Sequence, residues 1–223
     1  MSNPNPLLVL FRSFFLLIAL YILFGAVVNG LYDSYPALNN PEYSQDSIKT
    51  LLNESPQMAF LLIVILAPFI EELMFRTLLV PSHTDLILFL AVWPLFLISA
   101  FIPVEVNVVV KLVFMASFLF SIVYIGKNLI REEETVKIRL WLNRFKVPIW
   151  IATSLLFGFV HVTNYVEDYT LDFALFLLIV PRIFAGFFCG YVKLKNKSIA
   201  YSILLHALNN GFAFTLLNLG ASS

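Results

Sequence analysis

A single cysteine, Cys189, stands in the 223 residues, so neither an intrachain disulfide nor a cysteine-based zinc finger can form. Charge is just as scarce. Asp, Glu, Lys and Arg make up 13% of the chain, about half of the roughly 25% usual in a soluble globular domain. The 14 basic and 14 acidic residues cancel, so no overall field draws the chain to nucleic acid, which is excluded as a partner. No internal repeat, low-complexity segment or composition break marks a second domain. What is present is apolar: 60% of residues are hydrophobic and 16% aromatic, including 23 Phe. That excludes intrinsic disorder and exceeds what one small soluble core can bury. The fold class this predicts is an all-α, polytopic transmembrane helical bundle, with the lipid bilayer as its principal partner.

A helix needs about 20 apolar residues to cross a hydrocarbon core, and seven stretches qualify: 13–32, 57–80, 86–104, 106–126, 147–166, 172–192 and 198–218. Arg12 is the only basic residue before the long first run, which argues against a cleaved signal peptide. The division between the third and fourth spans rests on Pro103, Glu105 and Asn107. Lys111 is close enough to the end of the fourth to snorkel. With the N-terminus in the cytosol, the inner loops 127–146 and 193–197 hold nine basic residues: Lys127, Arg131, Lys137, Arg139, Arg144, Lys146, Lys193, Lys195 and Lys197. The outer segments hold only Lys49, against Asp33, Glu42, Asp46, Glu54, Glu105, Glu167 and Asp168. This bias is what the positive-inside rule predicts for a multi-pass protein in that orientation. The stretch REEETVKIRLWLNRF in 127–146 is amphipathic and suits the membrane surface.

Six ionisable side chains fall inside the spans: Glu71, Glu72, Arg76, His161, Arg182 and His206. Each costs at least a few kcal/mol at membrane depth and so suggests a functional site. A structural salt-bridge network would account for two acids and two guanidinium groups, but not for the histidines. Glu72 and Arg76 are four residues apart, within about 40° around a helix, so they can pair. Glu71 points about 100° away and is left free for chemistry. His206 and Asn210 share the spacing of four on the last span, and Phe157 and His161 share it on the fifth. Counted from the expected inner ends, Glu71, His206 and His161 lie at depths of about 14, 12 and 20 Å. Tilt or breaks near Pro68 or Pro148 would let them meet in one site opening toward the cytosolic half.

These residues carry a resemblance. EELMFR, Glu71 to Arg76, is similar to the EExxxR motif of the CAAX protease and bacteriocin-processing family of intramembrane proteases. FGFVH, Phe157 to His161, resembles its FxxxH, and HALNN supplies HxxxN with His206 and Asn210. GFFCGYVKLKNKSIAYSILLHALNN also looks like that family's small-residue helix, basic turn and final helix. The resemblance covers 57–218; it leaves 1–56 as a first helix with an outer loop and 219–223 as a tail. It implies an intramembrane endopeptidase acting on a membrane-associated protein or peptide, prenylated CAAX-type proteins among them. By the same resemblance Glu71, assisted by His161, activates water, while His206 and Asn210 stabilise the oxyanion. Glu72, Arg76, Phe157 and Arg182 are supporting residues. The preferred mechanism requires no cofactor; the alternative is a Zn²⁺ held by Glu71, His161 and His206 as a His₂Glu set. HExxH, the soluble zincin motif, is absent.

Simpler roles suffice elsewhere. Arg182 is expected to neutralise a carboxylate, with capture of a peptide C-terminus as the sharper alternative. Gly186 and Gly190 read as a close helix contact within the monomer, Cys189 as packing, and His83 as a solvated loop residue. A transporter shares the intramembrane Glu, His and Arg, but the chain shows no repeated halves. A non-catalytic immunity protein or scaffold of the same fold is the remaining alternative.

Overall fold

The computed structural model describes residues 5–99, 101–103, 106–166 and 172–221. Glu105, Glu167 and Asp168, expected on outer segments, lie outside them, as does part of the boundary between the third and fourth spans. The described residues are helical throughout their regular structure: α1 Pro6–Ser34, α2 Asp46–Glu54, α3 Pro56–Phe75, α4 His83–Ser99, α5 Val108–Leu129, α6 Glu132–Arg144, α7 Lys146–Asn164, α8 Phe173–Asn196 and α9 Ile199–Ala221. Six of these, α1, α3, α5, α7, α8 and α9, are long and apolar enough to cross a membrane. The seventh apolar helix, α4, has 17 residues, about 26 Å of rise. It stops at Ser99, short of the expected end at 104.

The chain's polar caps set several helix starts. Asn5, Asn107 and Asp172 each accept a hydrogen bond from a backbone N–H of the first turn of α1, α5 and α8. The ends of the helices then sort into two groups. At one end, Asn196 Nδ2 donates to the Pro6 carbonyl (3.2 Å), and His83 Nδ1 lies 3.1 Å from Thr135 Oγ1 of α6. His83 is therefore half-buried against α6 rather than a solvated loop residue. At the other end, Tyr43 donates to Asp172 Oδ2 at 2.6 Å. The basic segments 127–146 and 193–197 thus share one end, and Tyr43 and Asp172 mark the opposite one.

The core lies along α8, the most buried of the spans. Leu10 of α1 packs with Cys189, Val192 and Leu205, and Leu17 packs with Phe157 and Ala185. Helices α7 and α8 approach closely because Gly186 and Gly190 carry no Cβ: an added Cβ would meet Ser154 backbone atoms at 3.0 and 3.1 Å at Gly186, and the Trp150 ring at Gly190. The GxxxG pair is thus a contact inside the monomer. At the periphery, α5 has no buried residue among those described and packs chiefly on α4, leaving most of its surface for lipid. The amphipathic stretch is α6, which turns Thr135 and Leu142 inward and leaves Ile138, Leu140 and Trp141 exposed.

Candidate active site

Helix α3 is irregular where the site forms. Leu61–Leu66 is wound as a π-helical turn, and the Ala67 N–H reaches the Leu62 carbonyl five residues back. The next bond of that pattern would run from residue 68 to Ile63, but Pro68 has no N–H. Asn210 of α9 supplies the missing donor, Nδ2 to the Ile63 carbonyl at 2.9 Å. Its Oδ1 accepts from Asn209 Nδ2 at 3.3 Å. One turn on, α3 presents Glu71 and Glu72 to different surroundings, as their angular separation predicts. Helix α7 likewise tightens to a 3-10 turn over Val160–Asn164, which carries His161.

Glu72 and Arg76 are both fully buried, with Arg76 Nε 3.5 Å from Glu72 Oε2. This is an ion-pair contact without hydrogen-bond alignment, since Nε and Nη2 have no hydrogen-bond partner. Arg76 is held further by the Thr153 carbonyl (3.2 Å) and by the Phe157 ring, 5.0 Å from Cζ. Glu72 does more than balance this charge. Its Oε1 lies 3.0 Å from His206 Nδ1 and its Oε2 accepts from Ser202 Oγ at 2.5 Å. The sequence reading gave Glu72 to Arg76 alone; the fold makes it the anchor of His206 as well.

Both histidines are oriented through Nδ1. His161 Nδ1 lies 2.6 Å from the Phe157 carbonyl, which only accepts, so that nitrogen carries the proton. His206 Nδ1 is placed in the same way by Glu72. The two Nε2 atoms then converge on one oxygen: Glu71 Oε2 is 3.7 Å from His161 Nε2 and 3.8 Å from His206 Nε2. That oxygen is buried and has no hydrogen-bond partner. Phe157 fills the space behind, its ring centroid 4.8 Å from His161 and 5.3 Å from His206. The depths estimated along straight helices differed, and the π turn in α3 and the 3-10 turn in α7 are the breaks that bring the groups together.

Glu71, His161, Arg182 and Asn210 line a cavity of about 260 Å³ that also reaches Gln45, Ile48 and Leu52 at α2 and Leu217 of α9. The cavity therefore runs from Glu71 toward the end marked by Tyr43 and Asp172. Arg182 makes no hydrogen bond or ion pair within 4 Å among the described residues. Its guanidinium lines the same cavity as the Glu71 carboxylate and also an adjoining groove beside Tyr21. Among the described residues, no three His, Cys, Asp or Glu side chains are arranged as a metal-binding group.

Residues 133–212 match the family model described as type II CAAX prenyl endopeptidase Rce1-like. These 80 of the 223 residues are similar to the CAAX protease family. The match spans α7 and α8, nearly all of α6 and the first part of α9, so it takes in FxxxH, Arg182 and HxxxN, while Glu71, Glu72 and Arg76 precede it. No curated protein and no solved structure matches the chain. The apolar helices make the chain an integral, multi-pass membrane protein, and the family it resembles implies protease activity on a membrane-associated protein.

Two parts of this architecture are not among the residues that the sequence motifs single out. Ser202 lies four residues before His206, on the same helical face, and that spacing was the available signal. Asp85 and Lys193 form a buried ion pair, Nζ to Oδ2 2.9 Å, with Lys193 fully buried. Each was counted as a loop residue because each sits at the very end of an apolar run, where sequence alone does not separate interface from interior.

Proposed function

We propose that the chain is a glutamate-dependent intramembrane endopeptidase, with Glu71 as general base. The observation that carries this reading is the convergence of two imidazole Nε2 atoms on the unpartnered Glu71 Oε2. Glu71 Oε2 and His161 Nε2, whose ring carries its proton on Nδ1, are both acceptors, and a water molecule between them supplies a proton to each. Glu71 takes one proton from that water, with His161 holding the other, and the water oxygen attacks the peptide carbonyl carbon. The resulting oxyanion is stabilised by His206 when Nε2 carries a proton, a charge that Glu72 offsets from the other side of the ring. Asn210 has one N–H committed to Ile63 and offers its second. Collapse of the tetrahedral intermediate breaks the C–N bond, and the proton on Glu71 passes to the leaving amine. In this reading Arg182, which lines the same cavity as Glu71, also receives an anionic group of the substrate. The substrate is a membrane-associated peptide, with prenylated CAAX-type proteins as the class to assay first. If the basic loops are cytosolic, the cavity mouth faces the other side of the membrane.

The test is cleavage by purified protein in liposomes, read by mass spectrometry, with peptides from cells expressing the wild type or Glu71→Gln defining the substrate. Glu71→Gln should lower turnover by about 10²-fold or more with an unchanged melting temperature. Activity should survive strong chelators. Stoichiometric zinc that disappears from His206→Ala, with chelation abolishing and zinc restoring turnover, would replace the metal-free mechanism by the His₂Glu one.

A further inference from the structure

A second concavity lies at the basic end, away from the cavity mouth. Between α1, α7 and α8 runs a groove of about 480 Å³, with Leu16 and Phe187 among its apolar walls and Arg12 and Lys195 also lining it. The groove is built firmly. Trp150 donates Nε1–H to the Phe187 carbonyl at 2.9 Å, and Asn196 ties the start of α1 to the end of α8. Lys195 Nζ stands 5.6 Å from the Tyr191 ring centroid. Among the described residues, neither Arg12 nor Lys195 is within 4 Å of a carboxylate. Arg12 lies six residues into α1, about 9 Å along its axis, a depth at which a cation extends toward the interface or meets an anion.

Two unpaired cations beside an apolar groove, flanked by Trp and Tyr, call for a ligand with an anionic head and an apolar tail. We propose that this groove binds one anionic phospholipid of the leaflet at the basic end. Its phosphate lies between Arg12 and Lys195, and an acyl chain runs along Leu16 and Phe187. The site is independent of the proteolytic reading. It depends on α1, a helix outside both the motifs and the matched family region.

The full chain in neutral detergent is examined by native mass spectrometry with phosphatidylglycerol, phosphatidylcholine or inorganic phosphate. One phosphatidylglycerol should be retained in preference to phosphatidylcholine, on the order of tenfold for two cations near an anionic head. Arg12→Gln/Lys195→Gln should remove that preference. Equal retention by the wild type, or an undiminished preference in the double variant, overturns the proposal. Binding of inorganic phosphate without phosphatidylglycerol also overturns it, in favour of a free-anion site. If the double variant does not fold, Trp150 reports instead. With Trp93→Phe and Trp141→Phe, only one of the three tryptophans remains. Brominated phosphatidylglycerol should quench it more than brominated phosphatidylcholine, and equal quenching refutes the site.

Discussion

Replacing Glu72 with Gln isolates the charge of the most enclosed carboxylate in the bundle. Gln keeps the volume and one acceptor oxygen, so His206 Nδ1 retains a partner, and Ser202 Oγ can still turn to the Cys189 carbonyl at 2.9 Å. What is lost is the negative charge 3.5 Å from Arg76 Nε, at a site where both side chains are fully buried. Removing one partner of a buried ion pair costs about 3–5 kcal/mol. Arg76 keeps the Thr153 carbonyl and the Phe157 ring, which places the loss at the lower end, about 3 kcal/mol. For a chain of this size, with about 2–4 °C per kcal/mol, the melting temperature should fall by roughly 6–12 °C. The assay is thermal unfolding in detergent of Glu72→Gln, Arg76→Met and the double variant. If an uncompensated cation is the cause, the double variant will be more stable than Glu72→Gln. Turnover per folded molecule should drop on the order of tenfold, because the ring of His206 is still held but the negative charge behind it is gone. A melting temperature unchanged in Glu72→Gln, or losses that simply add in the double variant, would refute this account.

Three further outcomes follow from the same geometry. Gly186→Ala places a methyl group 3.0 Å from the Ser154 carbonyl oxygen and 3.2 Å from Arg76 Nη2; it should destabilise by about 1–3 kcal/mol, measured by thermal unfolding, whereas Gly25→Ala, which meets nothing within 4 Å, should not. Asp85→Asn strips the buried Lys193 of its counter-charge and should lower stability by about 3 kcal/mol, with Asp85→Leu/Lys193→Met recovering part of it. The Leu175 N–H and the Tyr43 hydroxyl hold the Asp172 carboxyl below its usual range, and Asp172 in turn raises the Tyr43 phenol. The Asp172 contribution is present above the unfolded carboxyl range and is lost as pH falls through its lower folded value; the Tyr43 contribution is full below about pH 10 and is lost as pH rises through its raised value. Hydrogen exchange of 40–46, corrected for intrinsic rates, should therefore show protection that falls at both extremes, and Asp172→Asn should flatten the acid limb.

Composition and charge distribution were enough to establish a helical membrane protein, because hydrophobic length and loop charge are local properties that any packing must respect. The spacing of four separated Glu71 from Glu72 and paired Glu72 with Arg76, since a helix fixes those angles before any tertiary contact exists. Three motifs in order identified the catalytic candidates. The junction between the third and fourth spans remained weakly marked, as the helix end at Ser99 shows. Tertiary structure alone decided the rest. Which nitrogen of each histidine faces Glu71 depends on acceptors from other turns and helices, Phe157 for His161 and Glu72 for His206. Asn210 is committed to Ile63 because a π turn and Pro68 leave a carbonyl without a donor. The cavity that joins Glu71 to residues of α2 forms only when the helices pack, and Asp85 meets Lys193 across 108 residues. Contacts between distant segments leave no periodic trace in either one, so only the packed bundle reveals them.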